Sequence, residues 1–541
     1  RLLAKTQMPT FSGIIAPRLA TKRRRSANKG RNRRKKTRGI QNPSPKSVPD
    51  GAAVETNGEA EEEEEEEEER EEGGGFKLKS SASSHSHDIQ PLGNLLLRDP
   101  SSNIRNQGLG ALRALTDELV LEVLSLLSGG DLGRLAAVSK SLYVFSTHDP
   151  LWRNLVLEEL KGDFFFTGSW RSTYLSVSTK PISSSSSATS CSAVNGVGSG
   201  IRIRDFYSDY LFQSWLCASL EMKPEWLQTD NIKRRRGISV EEFISCFEEP
   251  NKPVLLEGCL EDWLALGKWE RDSLTRMCNG VKFAVGPVEM KLEDYFQYSA
   301  TVREERPLYL FDPKFAEKVP ELGLDYEVPV YFREDLFSVL GDERPDYRWI
   351  IIGPAGSGSS FHVDPNSTSA WNAVIKGSKK WVMFPPEVVP PGVHPSSDGA
   401  EVACPVSIIE WFMNFYDECK KWRKRPVECV CRAGEVVFVP NGWWHLVINL
   451  EDSIAITQNY VSRRNLLNVL DFLRRPNANE LVSGTDDRVN LYEKFRCAIE
   501  SSFPETIDQL TMKAEERVAK QKLTFWESVV DTNTGGFKFS F

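Results

Sequence analysis

The sequence has 541 residues, a formal net charge of −8, 40% apolar residues and 27% charged residues. That balance is ordinary for globular proteins; it excludes a collagen-like or wholly disordered chain, and the length suggests two to four domains. No apolar run reaches the roughly 18–20 residues a membrane-crossing helix needs, so no membrane is expected as a partner.

Residues 1–108 read as a disordered tail. The chain begins with Arg1, as a fragment or an incomplete gene model does, so the absence of a recognisable signal peptide carries little weight. Lys22 to Arg38 holds eleven Lys or Arg and no acid, while Glu59 to Glu72 holds twelve Glu and one Arg. Like charges at this density repel, and neither block carries apolar residues to bury. The basic block reads as a nuclear-import signal or a nucleic-acid-binding arm, which places the protein in the nucleus. The acidic block reads as a solvating spacer. The ten cysteines form no C-x-x-C pair, and Cys429 and Cys431 face the same way along a strand. Free core thiols in a reducing compartment fit better than disulfides or a zinc site.

Residues 109–160 form a helical module. In ALTDELVLEVLSLLSGGDL, Leu119, Val123, Leu126 and Leu127 recur at helical spacing. Thr116 is the expected N-cap with Leu115 before it as a staple, Gly129–Gly130 the expected stop, and Asp131 the next cap. Leu132, Leu135 and Val138 continue the apolar pattern to Leu151–Trp152. These features resemble the F-box, with Thr116 standing where that family usually has Pro. The resemblance implies docking of Leu112–Leu160 on the Skp-type linker subunit of a cullin ubiquitin ligase; a plain helical hairpin is the alternative.

Residues 181–200 (PISSSSSATSCSAVNGVGSG) have the composition of a flexible linker. From about 201 to 477 the pattern is globular, and between Pro253 and Tyr460 short β-rich runs alternate with Gly, Pro and Asn turns. Residues 478–541 turn helical, with a long polar-amphipathic stretch from Glu505 to Val530.

The chemistry concentrates in RWIIIGPAGSGSSFHVDP. On a strand, residues two apart share a face, so His362 and Asp364 point together while Phe361 and Val363 point away. An imidazole beside a carboxylate is two thirds of a facial triad, which leaves three cis positions open on Fe(II). The third ligand is expected on a distant strand, and GEVVFVPNGWWHLVIN supplies His445 just after a turn, 83 residues later. Of the six histidines, His85 and His87 fall in the tail, His148 in the helical module, and His394 in a loop between prolines. A 2-oxoglutarate enzyme also needs a cation for the distal carboxylate. Lys379 heads a strand after a turn, with Lys376 and Lys380 as rivals by composition. Thr457, Asn459 and Asn372 are strand polar groups whose role the pattern alone leaves open, with Thr457 and Asn459 on one strand face.

RPLYLFDPKF, YRWIIIGPAGSGSSFHVDP, TSAWNAVIKGSKKW and GEVVFVPNGWWHLVINLEDSIAITQNY together resemble the JmjC oxygenases, in particular the bifunctional arginine demethylase and lysyl hydroxylase subgroup. With the F-box, they resemble the plant F-box–JmjC proteins. The resemblance implies a mainly β double-stranded β-helix, a cupin-type jelly roll with flanking helices. It implies Fe(II) held by His362, Asp364 and His445, with 2-oxoglutarate and O₂ as cosubstrates. Lys379 matches the lysine that grips the distal carboxylate; Asn372, Thr457 and Tyr309 match cosubstrate-pocket residues; Ser359 stands where the animal proteins have Thr. The expected function is a protein oxygenase, a histone arginine demethylase first and a lysyl hydroxylase of nuclear proteins second, acting on histone tails or other basic nuclear proteins. From a different class, the chain could be a ubiquitin-ligase substrate receptor whose pocket only recognises targets.

Overall fold

Eight runs rich in β-branched and aromatic residues between 348 and 460 fold as strands: β1 (Arg348–Gly353), β2 (Gly358–His362), β3 (Ser369–Lys376), β4 (Ser378–Phe384), β5 (Val427–Arg432), β6 (Glu435–Val439), β7 (Trp444–Asn449) and β8 (Ser453–Tyr460). The computed structural model describes residues 4–7, 85–178 and 201–530. The eight strands form two facing sheets, with order β5-β4-β7-β2 in one and β6-β3-β8-β1 in the other. This is the double-stranded β-helix. Five further strands widen the second sheet to nine, among them Val254–Glu257 beside β6 and Leu310–Asp312 beside β1. Gly358 opens β2 with φ of 155°, where a Cβ would lie 2.0 Å from the Val447 carbonyl oxygen. Only glycine lets β2 approach β7 this closely.

Five helices form the preceding module: α1 (Asp117–Leu124), α2 (Gly129–Ala136), α3 (Lys140–Ser146), α4 (Asp149–Leu160) and α5 (Trp170–Ser178). Thr116 caps α1 as expected, its hydroxyl accepting from Leu119 N–H at 3.5 Å. The expected glycine stop is corrected. Ser128 caps α2 by accepting from Asp131 N–H at 3.2 Å, so Gly129 and Gly130 begin the second helix instead of ending the first. A Cβ on Gly129 would strike the Tyr174 ring. The apolar faces also differ from the periodicity reading. Val120, Leu121 and Leu124 are buried, whereas Leu119, Val123 and Leu126 are exposed. The helix is apolar on two sides, and only one side faces this chain's core.

Three expected boundaries move. The tail reading ran to residue 108, but residues 85–108 pack in short 3₁₀ turns against the start of the catalytic region. There Ile203 N–H donates to the His87 carbonyl at 3.0 Å, Gln90 N–H donates to the Phe206 carbonyl at 3.0 Å, and Ile89 is buried. The polar composition of this stretch concealed a few well-placed apolar anchors. The helical module extends past 160 through α5. The helices after residue 463, including Leu466–Leu473 and Leu491–Ser502, share one cluster with Phe337 and Val461, so position 478 is not a domain edge. The basic block, the acidic block and the 181–200 linker lie outside the described residues. Among the described residues, no helix is long and apolar enough to cross a membrane.

The helical module and the β-helix share a hydrophobic core. One cluster of buried side chains runs from Leu124, Phe145, Trp152 and Trp170 through Phe206 and Tyr298 to Ile352 and Trp371. A buried polar node crosses this junction. Glu304 accepts from Trp170 Nε1 at 2.6 Å and from the Tyr298 hydroxyl at 3.1 Å, and faces Arg153 Nε at 3.3 Å. Burial lifts its carboxyl to about 7, against the downward pull of Arg153. A carboxyl whose folded value lies above its ordinary 4.5 contributes most stability below that value and loses it as pH climbs through about 7. Relative to the parent, Glu304→Gln is therefore expected to gain melting temperature as pH rises from about 4.5 to about 7. A pH series of thermal denaturation curves checks this; a constant offset across the series would show that Glu304 does not titrate there.

Candidate active site

Strand pairing brings the histidines together. β2 and β7 are antiparallel neighbours, and their register sets His362 directly opposite His445, with ring centroids 4.1 Å apart. Asp364 follows two residues after His362; β2 ends at His362 itself, so Asp364 lies past the strand, immediately before the 3₁₀ turn that Pro365 opens. One ligand atom from each of His362, Asp364 and His445 lies within 4.8 Å of the other two.

The surroundings prepare these atoms for a cation. His362 Nδ1 lies 2.8 Å from the Ser360 carbonyl, and His445 Nδ1 lies 3.0 Å from the Trp443 carbonyl. A carbonyl can only accept, so each Nδ1 carries the proton and each Nε2 keeps its lone pair. Burial pushes both imidazoles down to about 4, with His445 adding to the effect on His362, so both are neutral at pH 7. Burial lifts the Asp364 carboxyl to about 6, opposed by His362 and a hydrogen bond from Asn459. Its Oδ2 is buried with no hydrogen-bond partner. A buried carboxylate oxygen without a donor is costly unless a cation meets it. Two neutral imidazoles and one such carboxylate are a donor set that fits a non-haem Fe(II) with open positions.

Tyr309, Ser359, Asn372, Lys379 and Thr457 line the same pocket as His362, Asp364 and His445. The three rival lysines separate. Lys376 pairs with Glu270 at the surface. Lys380 is fully buried and pairs with Glu428 at 2.8 Å. Lys379 points inward, is 1% exposed, and donates to Asn449 Oδ1 at 2.7 Å and Tyr309 Oη at 3.1 Å. No carboxylate among the described residues pairs with it. Asn372 and Thr457 are register partners on β3 and β8. Thr457 donates to the Trp371 carbonyl at 3.0 Å, and Asn372 Oδ1 is buried without a partner. His394 is exposed on a short strand. His148 precedes α4 in the helical module.

Sequence reasoning missed Trp381 and Asn449, and left open the role of Asn459. Trp381 stacks on His445 at 5.9 Å with its Nε1 unpartnered, and Asn459 ties Asp364 to Thr368 through a 2.8 Å bond to the Thr368 hydroxyl. Alternation could have found the two that were missed. Asn449 shares strand parity with His445, and Trp381 shares it with Lys379.

Comparison with known proteins agrees with this geometry. The Cupin-like domain model matches residues 275–465, and the F-box-like model matches residues 115–158. The arginine-specific demethylase JMJ22 of Arabidopsis thaliana is 68% identical over 467 residues, covering 86% of this chain and 91% of that protein. The chain belongs to the JmjC family of iron- and 2-oxoglutarate-dependent oxygenases. Another JmjC relative, the bifunctional arginine demethylase and lysyl-hydroxylase psr-1 of Caenorhabditis elegans, is 40% identical over 256 residues, covering 44% of this chain and 63% of that protein. The lysine-specific demethylase JMJ21 of Arabidopsis thaliana is 38% identical over 375 residues, covering 67% of this chain and 38% of that protein. Like other JmjC enzymes, this one is a dioxygenase that uses iron and 2-oxoglutarate.

The two buried lysines make opposite predictions for the protein without cosubstrate. Lys380→Met strands Glu428 in the interior and is expected to cost about 3–5 kcal/mol. Lys379→Met removes an amine that faces no acid, and is expected to leave stability unchanged or raised. Denaturant titration of both variants checks the contrast; equal losses would mean that Lys379 is as fully compensated as Lys380.

Proposed function

We propose that this chain removes methyl groups from arginine side chains of basic nuclear proteins, histone tails first among them. The observation that carries the reading is the shared pocket. A buried pair of neutral imidazoles and a carboxylate face the same space as an inward-pointing lysine with no acid partner among the described residues. His362, Asp364 and His445 hold the iron. Lys379 holds the distal carboxylate of 2-oxoglutarate, with Tyr309, Asn372, Thr457 and Ser359 around it. When bound, iron and 2-oxoglutarate supply oxidative decarboxylation by O₂, giving succinate and CO₂ and placing one oxygen atom into a substrate C–H bond. The chain's own residues orient and exclude. The Nδ1 bonds to Ser360 and Trp443 fix both histidine rings, Asn459 fixes Asp364, and Phe311, Trp349, Ile351 and Val447 wall the pocket against water. Oxidation of an N-methyl carbon gives a hemiaminal that releases formaldehyde, which is demethylation. The 68% identity to an arginine-specific demethylase supports arginine as the target.

A second reading, lysyl hydroxylation, has support from the bifunctional relative. The same pocket would then oxidise a lysine side-chain carbon to a stable alcohol. The deciding experiment incubates the protein with Fe(II), 2-oxoglutarate and either methylarginine or unmodified lysine peptides. Demethylation is expected to remove about 14 mass units per methyl and release formaldehyde, whereas hydroxylation adds about 16. His362→Ala is expected to abolish either product, and turnover surviving in that variant would remove the site assignment.

The exposed side of α1 and the turn that follows it support a second partner. Leu119, Val123 and Leu126, with Val138 beyond α2, offer apolar surface to a Skp-type linker of a cullin ligase. Leu126→Glu, at a side chain already 84% exposed, is expected to abolish co-purification with that linker while leaving oxygenase turnover unchanged. Unchanged linker capture would exclude α1 as the docking surface. Nuclear residence rests on the basic block Lys22–Arg38, which also suits nucleic acid.

A further inference from the structure

The geometry points to Asn449 as the residue that positions Lys379 for the cosubstrate, an inference that rests on the reading of Lys379 given above. Asn449 ends β7 on the strand face that carries His445 and lies opposite Lys379 in the β4–β7 register. It is 1% exposed, and every polar group of its side chain is committed. Its Oδ1 accepts from Lys379 Nζ at 2.7 Å, and its Nδ2 donates to Ser357 Oγ at 2.9 Å.

The direction of this chain of bonds is forced. Ser357 has one hydroxyl proton, and it goes to the Pro354 carbonyl at 2.6 Å. Ser357 Oγ can therefore only accept from Asn449, which sets the amide with its nitrogen toward Ser357 and its oxygen toward Lys379. A flipped amide would set donor against donor at Lys379 and acceptor against acceptor at Ser357. The main chain locks the same residue: Asn449 N–H donates to the Ser357 carbonyl and Gly356 N–H donates to the Asn449 carbonyl, both at 2.8 Å.

Two consequences follow for a buried lysine that faces no acid among the described residues. First, Asn449 and Tyr309 supply neutral oxygens only, so they hold the side chain in place without neutralising it. The charge stays available for an incoming carboxylate. Second, the turn that orients Asn449, Pro354 to Ser357, leads directly into β2, which carries Ser359 and His362. Asn449 thus ties the anchor for the distal end of 2-oxoglutarate to the strand that carries the metal end.

The test measures binding, not turnover. Calorimetry with Mn(II) in place of iron, without O₂, reads the affinity for 2-oxoglutarate and for pyruvate, a 2-oxo acid lacking the distal carboxylate. Asn449→Asp puts a carboxylate against Lys379 to compete with the ligand. It is expected to weaken 2-oxoglutarate about tenfold or more, while Mn(II) and pyruvate affinities stay within about twofold. A merely structural defect would weaken all three together, and that result overturns the proposal. So does 2-oxoglutarate affinity within about twofold of the parent. Should Asn449→Asp fail to fold, Ser357→Ala, which releases the amide, carries the same test, with about threefold weaker 2-oxoglutarate expected and unchanged affinity overturning the proposal. Lys379→Ala separates the two levels. Unchanged 2-oxoglutarate affinity in that variant would overturn the pocket reading itself, whereas loss there with intact Asn449 variants would overturn only the positioning role.

Discussion

The pairing of β2 with β7 is the constraint on which the chemistry depends. Strand register is quantised in single residues, and a slip by one would turn His445 from the interior to the outer face. Gly358 allows the two backbones to close at one end of this pair, and β2 ends at the other on His362 itself. There His362 and His445 meet as direct partners. Lys379 is placed by the same sheet, because β4 pairs with β7 and sets it against Asn449. A single sheet thereby spaces the metal end of the pocket from its carboxylate end.

Much of this was legible in the sequence, for identifiable reasons. The eight strands show as alternation punctuated by Gly, Pro and Asn, and the His-x-Asp pair needs only strand parity to be placed. Choosing Lys379 over Lys376 and Lys380 was beyond composition, since Lys376 ends β3, the other two open β4, and nothing local says which face of either strand is inward. The acid partners decide it, and Glu270 and Glu428 are distant in sequence. Asn449 was overlooked, and Asn459 left without a role, because an asparagine near a strand end is unremarkable until its partners are known. The helical module misled in a different way. Apolar periodicity detects a stripe but not what covers it, so the exposed side of α1 was read as the core side. Gly129–Gly130 read as a stop because glycine commonly ends helices, yet here Tyr174 lies where a side chain would project.

Pocket electrostatics and packing pull in one direction. The barrel interior is apolar enough to keep His362 and His445 neutral, and that same dryness makes Asp364 and Lys379 expensive to bury alone. Each of these two therefore has a neutral amide beside it, Asn459 for the acid and Asn449 for the base. Amides hold a charged group in place without cancelling its charge. The interior thus contains an acid and a base that do not neutralise each other, each set toward a different end of the pocket.

The cluster that joins Trp152 and Trp170 to Ile352 and Trp371 bears on how genetic lesions in this protein are interpreted. Because the two regions share buried side chains, damage deep in the helical part propagates into the barrel's outer wall. An allele altered at Trp152 would show reduced oxidation products at elevated temperature even with every pocket residue intact. Such a phenotype would reflect a lost common foundation, and should not be read as proof that the helical part takes a direct hand in catalysis.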